Sequence, residues 1–246
     1  MNRMNVDLGN YAQKGLYLLF GDSSIISLTE SNIERTAREF WDDPNKIPIH
    51  VRKAADFQLC GICPEKGNEG ICYSLHPVLP FLELIDQYFS FDKVTAFYRE
   101  DEEGLLYISE TAMQNALQYI SILSLLSYCR VGRKYWKYYY GVIPIMGADA
   151  AVNRFYLNIY WLHEGKMNEI NKFISEFKEN ISIISENVIK RLNLICQRDA
   201  FINAFFNTHV FAEFLSMDME EVLKKTFCDL DNTPVQYRSS YSPRYR

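Results

Sequence analysis

Residues 60–72 read CGICPEKGNEGIC and hold three of the six cysteines in this chain of 246 residues. The turn Cys60-Gly61-Ile62-Cys63-Pro64 places two sulfurs on one tight bend, whose backbone amides can donate hydrogen bonds to them. The glycine-rich return that follows lets Cys72 reach the same point. Three thiols so close together in the sequence predict a metal site built on Cys60, Cys63 and Cys72.

Two residues compete for the fourth ligand position of this site. His76 follows Cys72 by four residues, about one helical turn, and this spacing favours a Cys3His site. Cys129 is the alternative, because it ends an apolar helical pattern just before the break Arg130-Val131-Gly132. Buried thiols without a metal are a further interpretation, as is a C-x-x-C redox pair, although no βαβ pattern surrounds the cysteines.

Zinc is the expected metal, since such ligands in a compact turn form a closed site that contributes to folding. An iron–sulfur cluster is the alternative. Thiolates hold both groups, and a cysteine followed by proline also occurs in ferredoxin-like sequences. The ligand types alone do not separate the two.

Short apolar runs on either side of the cysteine segment predict a β-rich first part. Two hairpins are expected, one around Gly21-Asp22-Ser23-Ser24 and one around the acidic turn of residues 100–104. Residues 31–41 have helical spacing between these hairpins. The predicted strands are residues 16–20, 25–28, 47–51, 94–98 and 105–108.

After residue 109 the apolar residues recur with helical spacing. Helices are predicted at residues 110–129, from 149 onward, and at 166–197, 199–215 and 218–227. The apolar stripe of residues 166–197 fits packing against neighbouring helices; a protein partner or a second copy of the chain is the alternative. The Tyr-, Arg- and Ser-rich residues 229–246 have no apolar pattern, which predicts a disordered tail.

These patterns together predict one α+β domain over residues 1–228. A small N-terminal antiparallel β-sheet made of hairpins is followed by a mainly helical C-terminal part, and the two are joined at the cysteine-rich metal site.

The chain resembles a bacterial family known as a domain of unknown function. That family has a C-x-x-C-P turn, a nearby third cysteine, a later Ser-Gly-Cys-Pro helix end and further short motifs. The matching stretches here lie within about residues 57–228: Cys60 to Pro64, Cys72, Leu117-Gln118, Ser127-Tyr128-Cys129, Ile143-Pro144-Ile145, Arg154-Phe155-Tyr156-Leu157 and Asp199-Ala200-Phe201-Ile202-Asn203-Ala204. Tyr73 and Arg130 stand where the family has prolines. The resemblance implies Cys129 as the fourth ligand, and it brings no established activity.

The segment of residues 130–140 interleaves cations with aromatic residues, a composition that can stack bases and contact phosphates. The relevant side chains are Arg130, Arg133, Lys134, Trp136 and Lys137 among several tyrosines. A strand with its aromatic residues inward and its cations in solvent is the favoured interpretation, because the net charge of −5 repels nucleic acid.

The remaining features narrow the class of protein. No apolar run reaches the length of about 20 residues that a membrane span needs, and the N-terminal residues do not form a secretory signal, so a cytoplasmic protein is expected. No phosphate-binding loop, dinucleotide fingerprint or nucleophile elbow is present, which leans against an enzyme. The sequence therefore predicts a metal-stabilised binding or regulatory protein. An iron–sulfur redox or sensor protein, and a nucleotide or nucleic-acid binder acting through residues 130–140, are the alternatives.

Overall fold

The computed structural model describes residues 11–43, 47–57, 59–65, 72–101 and 104–214. In these residues an antiparallel sheet is followed by a mainly helical part, which confirms the predicted α+β class. The strands are β1 (Gly15–Leu19), β2 (Ile25–Thr29), β3 (Lys93–Arg99) and β4 (Leu106–Ala112). The α-helices are α1 (Glu30–Asp42), α2 (Ile49–Ala55), α3 (Leu82–Ile85), α4 (Met113–Ala116), α5 (Gln118–Leu123), α6 (Ala148–Leu162), α7 (Met167–Leu192) and α8 (Ala200–Phe214). Shorter 3-10 turns cover Tyr73–Leu75, Leu79–Phe81 and Gly132–Tyr139, and a π-helical turn covers Ser124–Tyr128.

The sheet has the strand order β2-β1-β3-β4 with every neighbouring pair antiparallel. Both predicted hairpins are therefore confirmed. The β1–β2 turn closes because Ser23 takes the left-handed conformation at φ 69°. Next to it, the Asp22 carboxylate accepts hydrogen bonds from the backbone and the hydroxyl of Ser24, at 2.9 and 2.6 Å.

All five residues of strand β1 are buried. Because successive side chains of a strand point to opposite faces of the sheet, β1 is covered on both faces. Leu16 and Leu18 face the main core, which extends as one hydrophobic cluster from β1 to Ala212 in α8. Tyr17 faces the opposite side, in a small aromatic cluster with Phe97 of β3. The sheet and the helices thus share one core.

Helix α7 is the longest helix, and the apolar stripe predicted for it is buried within the chain. Its packing partners include α8 and the turn Gly132–Tyr139. From Ile170 to Leu192 at most 7% of any stripe residue is exposed, so this part of the stripe packs in the protein's own core, whereas Met167 at the start of the helix is half-buried. The stripe residues buried in this way are Ile170, Ile174, Phe177, Ile181, Ile184, Val188 and Leu192.

The strand predicted at residues 47–51 is wrong, because these residues begin helix α2. An apolar run this short does not distinguish a strand from a helix. Pro48 is the N-cap, and Val51, Ala54 and Ala55 are buried at the i, i+3 and i+4 spacing of one helix face. No strand lies next to them in the described residues, so a strand here would leave its backbone groups unpaired.

Two further boundaries differ from the prediction. The helix predicted at 110–129 begins only after β4 ends at Ala112, and it is divided into α4, α5 and the π-helical turn. The strand preferred for residues 130–140 is wrong, because Gly132–Tyr139 forms 3-10 turns that bury Tyr135, Tyr138 and Tyr139. The predicted helix 218–227 and the tail 229–246 lie outside the described residues. No helix within the described ranges is both long and apolar enough to cross a membrane.

Gly132 is the closest approach between the π-helical turn and the 3-10 turn that follows it. A Cβ added there would overlap the backbone carbonyl oxygen of Leu125, which cannot move without breaking the turn.

We expect Gly132→Ala to lower the free energy of unfolding by about 2 kcal/mol, measured by denaturant titration. Gly21→Ala is the matched control, because no atom lies within 4 Å of the added methyl group. It should change the free energy of unfolding by less than about 0.5 kcal/mol. Equal effects of the two variants would contradict this packing.

Candidate metal centre

The C-x-x-C turn lies just beyond the C-terminal end of α2. The backbone N–H of Cys63 donates to the carbonyl of Cys60 at 2.9 Å, which closes the turn. Both residues are half-buried, and both are free thiols. The local sequence therefore forms the two-sulfur turn that the spacing predicted.

Cys72 returns to the same end of α2. Its backbone N–H points to the carbonyl of Ala55, at 3.4 Å, and its sulfur lies 2.9 Å from the hydroxyl of Ser74. Cys72 is also the N-cap of the 3-10 turn Tyr73–Leu75. The last turn of α2 thus positions the third thiol as well as the first two.

Cys129 comes from a distant part of the chain and is positioned by the π-helical turn. Its N–H donates to the carbonyl of Ser124 at 3.0 Å, a bond that spans five residues instead of four. The wider turn rotates the side chain relative to a regular helix, and Cys129 is buried. Hydrogen bonds from the backbone amides of Gly132 and Val131 lower the pKa of the Cys129 thiol, but burial outweighs them and raises it.

The four thiols lie within electrostatic range of one another. Burial, followed in order by the negative charges of Cys129, Cys63 and Cys72, raises the pKa of Cys60 to about 11. Charges on Cys72 and Cys63 also raise the pKa of Cys129. Burial and these like charges disfavour ionisation of Cys60 and Cys129 unless a cation is bound nearby.

The arrangement is not a finished coordination shell. Among the residues that the structure describes, no three His, Cys, Asp or Glu side chains stand close enough together to hold a metal ion. The donor chemistry nevertheless suits a metal, because thiols from three chain segments lie within electrostatic range of the half-buried Cys60.

His76, the other predicted ligand, packs against aromatic rings. Its imidazole stacks on Trp41 with ring centroids 4.8 Å apart, and it lies against Tyr73 at 5.1 Å. Burial lowers its pKa, and the charge of Arg130 lowers it further. No thiol of the described cysteines contributes to that shift. The structure therefore brings Cys129, and not His76, into the electrostatic neighbourhood of the first three cysteines.

Arg191 is a residue of this site that the sequence analysis did not identify. Its side chain is fully buried on α7, and its guanidinium donates to the carbonyls of Ala54, Ala55 and Phe57 at 2.5–3.3 Å. These carbonyls belong to the C-terminal end of α2, where helix carbonyls lack partners within the helix. Burial lowers the pKa of Arg191, whereas negative charge on Cys72, Cys60 and Cys63 raises it. One fixed cation thus lies beside the thiols.

A signal for Arg191 was present in the sequence. It stands three residues after Val188 and seven after Ile184, so it lies on the apolar stripe of α7. A charged residue at a core position of an amphipathic helix indicates a buried partner.

The basic and aromatic segment 130–140 is largely occupied by contacts within the chain. Lys134 pairs with Glu176 at 2.5 Å, and the Arg130 guanidinium lies 3.5 Å from Glu65 and 4.2 Å above the Tyr73 ring. Lys137 and Arg133 are exposed, as is Trp136. The tyrosines of the 3-10 turns are buried, which removes them as base-stacking surfaces. Nucleic-acid binding through this segment stays a prediction.

Comparisons of the chain with protein-family models, with curated proteins and with solved structures find no match. The resemblance to a bacterial domain of unknown function therefore stays a prediction that rests on its motifs.

Replacing Arg191 tests its contribution to stability. We expect Arg191→Met to lower the free energy of unfolding by about 3 kcal/mol, because it removes the hydrogen bonds of a buried guanidinium to three carbonyls at and just after the end of α2. Denaturant titration measures the loss. Lys190→Met is the matched control, since Lys190 is the exposed neighbour on the same helix, and it should cost less than about 0.5 kcal/mol. Similar losses in both variants would remove Arg191 from this role.

The raised pKa of Cys60 predicts a pH dependence in the metal-free, reduced protein. The folded chain keeps this proton to higher pH than the unfolded chain, whose thiols ionise near pH 8.5. The resulting contribution to stability is present below about pH 8.5 and is lost as the pH rises through about 11. We expect the rate at which iodoacetamide alkylates Cys60 in the folded protein to be half-maximal near pH 11. The extent of alkylation is measured by mass spectrometry of the Cys60 peptide after the reaction is stopped and the protein is digested. A half-maximal rate near pH 8.5 would mean that the thiol is not desolvated.

Proposed function

We propose that this chain is a zinc-stabilised binding or regulatory protein in which Cys60, Cys63, Cys72 and Cys129 hold one structural Zn2+. The observation that carries the proposal is the mutual effect of these thiols on the pKa values of Cys60 and Cys129. A cation bound among thiols from these three segments would make their electrostatic proximity favourable.

The surroundings of the thiols suit a metal with four thiolate ligands. Such a centre with Zn2+ carries a net charge of about −2. The buried Arg191 guanidinium and the backbone amides that reach Cys129 would offset part of that charge. Bound metal would also keep its thiolate ligands deprotonated at neutral pH, which offsets the raised pKa values of Cys60 and Cys129.

A structural role for the metal fits the connectivity. Cys60, Cys63 and Cys72 belong to the part of the chain around α2, and Cys129 follows the π-helical turn of the helical part. With four protein ligands no coordination position is left for substrate, so the metal would fasten these parts together instead of taking part in catalysis. The described cysteines are all free thiols, which supports a reducing, intracellular setting.

An iron–sulfur cluster would use the same four thiolates and would make the chain a redox or sensor protein. The two groups differ in colour and in metal content. The test is therefore designed to separate them in one preparation.

The protein is purified without oxygen and analysed for metals and for its ultraviolet–visible spectrum. We expect a colourless protein with about one zinc per chain. Cys129→Ala should lose most of the zinc and unfold at lower denaturant, because a structural metal stabilises the fold that binds it. His76→Ala should keep the metal.

Cys196→Ala is the matched control. Cys196 is a half-buried thiol that also has a raised pKa, but burial and the charge of Asp86 cause that shift, and the other cysteines do not. This variant should keep a full equivalent of zinc. A brown protein that contains iron and sulfide would show that the bound group is an iron–sulfur cluster and not zinc. Full zinc content in Cys129→Ala, together with loss of zinc in His76→Ala, would assign the fourth ligand position to His76.

A further inference from the structure

A second feature of the chain is a cleft with a volume of about 1100 Å³ in the helical part. It is bounded by β4, by α4 and α5, by residues 139–147, by the start of α6 and by α8. The thiol residues do not line it. A concave site of this size takes a ligand somewhat larger than a typical drug-sized molecule.

Four carboxamides line this cleft with their hydrogen-bonding capacity unused. Gln114, Gln118, Asn153 and Asn207 are each half-buried, and none makes a side-chain hydrogen bond within the part of the chain that the structure describes. Asn158 of α6 behaves differently, because its amide donates to two backbone carbonyls at 2.8 Å. Each free carboxamide offers two donors and an acceptor, which matches a ligand rich in both.

One wall of the cleft belongs to a sheet edge. Ser109 and Thr111 of β4 line it, and β4 pairs only with β3 within the described residues. The other side of β4 therefore presents a row of backbone donors and acceptors that a further strand can pair with.

Another part of the lining is apolar, and the described lining residues include no cation. Ile143, Pro144 and Ile145 are half-exposed in the loop before α6, and Phe211 of α8 faces the same cleft. Among the residues that the structure describes, no lysine or arginine lines the cleft, and Asp149 contributes a carboxylate. A phosphate or carboxylate ligand would find no countercharge among these residues. A basic group could pair with Asp149, and a neutral ligand needs no countercharge.

We propose that this cleft binds an extended peptide segment of a partner protein, with apolar side chains and without acidic residues. The peptide backbone pairs with the free edge of β4 and with the four carboxamides, and its apolar side chains contact Ile143, Ile145 and Phe211. A sugar or a nucleobase would use the carboxamides but would leave the strand edge unused. This binding goes beyond the proposed metal centre and does not require it.

The test selects from a phage-displayed library of random linear nonapeptides on the immobilised full chain. Enriched peptides are then synthesised with a fluorescent label, and their binding is measured by anisotropy. We expect enriched sequences with alternating apolar residues and without Asp or Glu. Gln118→Ala and Asn207→Ala should each weaken binding by about three- to tenfold, the effect of losing one or two hydrogen bonds.

Asn171→Ala is the matched control, because Asn171 is an exposed amide on α7 that does not line the cleft. It should leave the affinity unchanged. All variants must keep the wild-type melting temperature and metal content, so that a failure of this proposal is distinguished from a failure of the metal site. Hydrogen exchange with bound peptide should show new protection of backbone amides within residues 106–112.

Three outcomes would overturn the proposal: no peptide enriched over a blank surface, enriched peptides that are acidic, or binding that is indifferent to Gln118 and Asn207. Self-association of the wild-type chain that Asn207→Ala abolishes would assign the cleft to a second copy and would likewise defeat it.

Discussion

The fully buried guanidinium of Arg191 holds the end of α2 against the middle of the protein. Its donors are contributed by α7, and the acceptors are carbonyls more than a hundred residues earlier in the chain. A buried guanidinium is costly unless its N–H groups are bonded, and the carbonyls at a helix C-terminus are costly unless they find donors. Each group removes the penalty of the other. The position of α2 follows, and with it the positions of Cys60, Cys63 and Cys72.

The segment from α5 to the π-helical turn connects the two halves of the structure. Ser121 shares a 2.7 Å hydrogen bond with Thr208 of α8, and the hydroxyl of Ser124 donates to the carbonyl of Ser74, just after Cys72. In the sequence these serines only interrupt an apolar run. In the fold they are buried and bonded, so they fix the segment on both sides. Gln118, at the start of this segment, lines the cleft of about 1100 Å³. Cys129, at its end, lies within electrostatic range of Cys72 and Cys63.

Many aromatic side chains pack against one another in the core of the helical part. Tyr138 and Phe173 pack with ring centroids 4.1 Å apart, and Tyr139 meets Phe155 edge-on at 4.8 Å. Burial raises the pKa of Tyr139 above its ordinary value, in agreement with a ring withdrawn from water. The interleaved cations of residues 130–140 remain outside this core because 3-10 turns direct every third side chain inward. A composition typical of nucleic-acid binding thus also serves a packed helix junction.

The local patterns of the sequence determined the hairpins, the long helices and the C-x-x-C turn. Each depends on residues a few positions apart, through alternation along a strand, 3.6-residue spacing along a helix, or the reach of one tight bend. The sequence also limited the candidates for the fourth ligand of the proposed metal site to Cys129 and His76. Only the tertiary structure decided that residues 49–55 are a helix, that Cys129 lies near the other thiols while His76 stacks on Trp41, that Arg191 caps α2, and that four carboxamides without hydrogen bonds in the described residues line one cleft. Each of these depends on contacts between residues tens to more than a hundred positions apart, and their energies arise from burial and hydrogen bonding that no local period encodes.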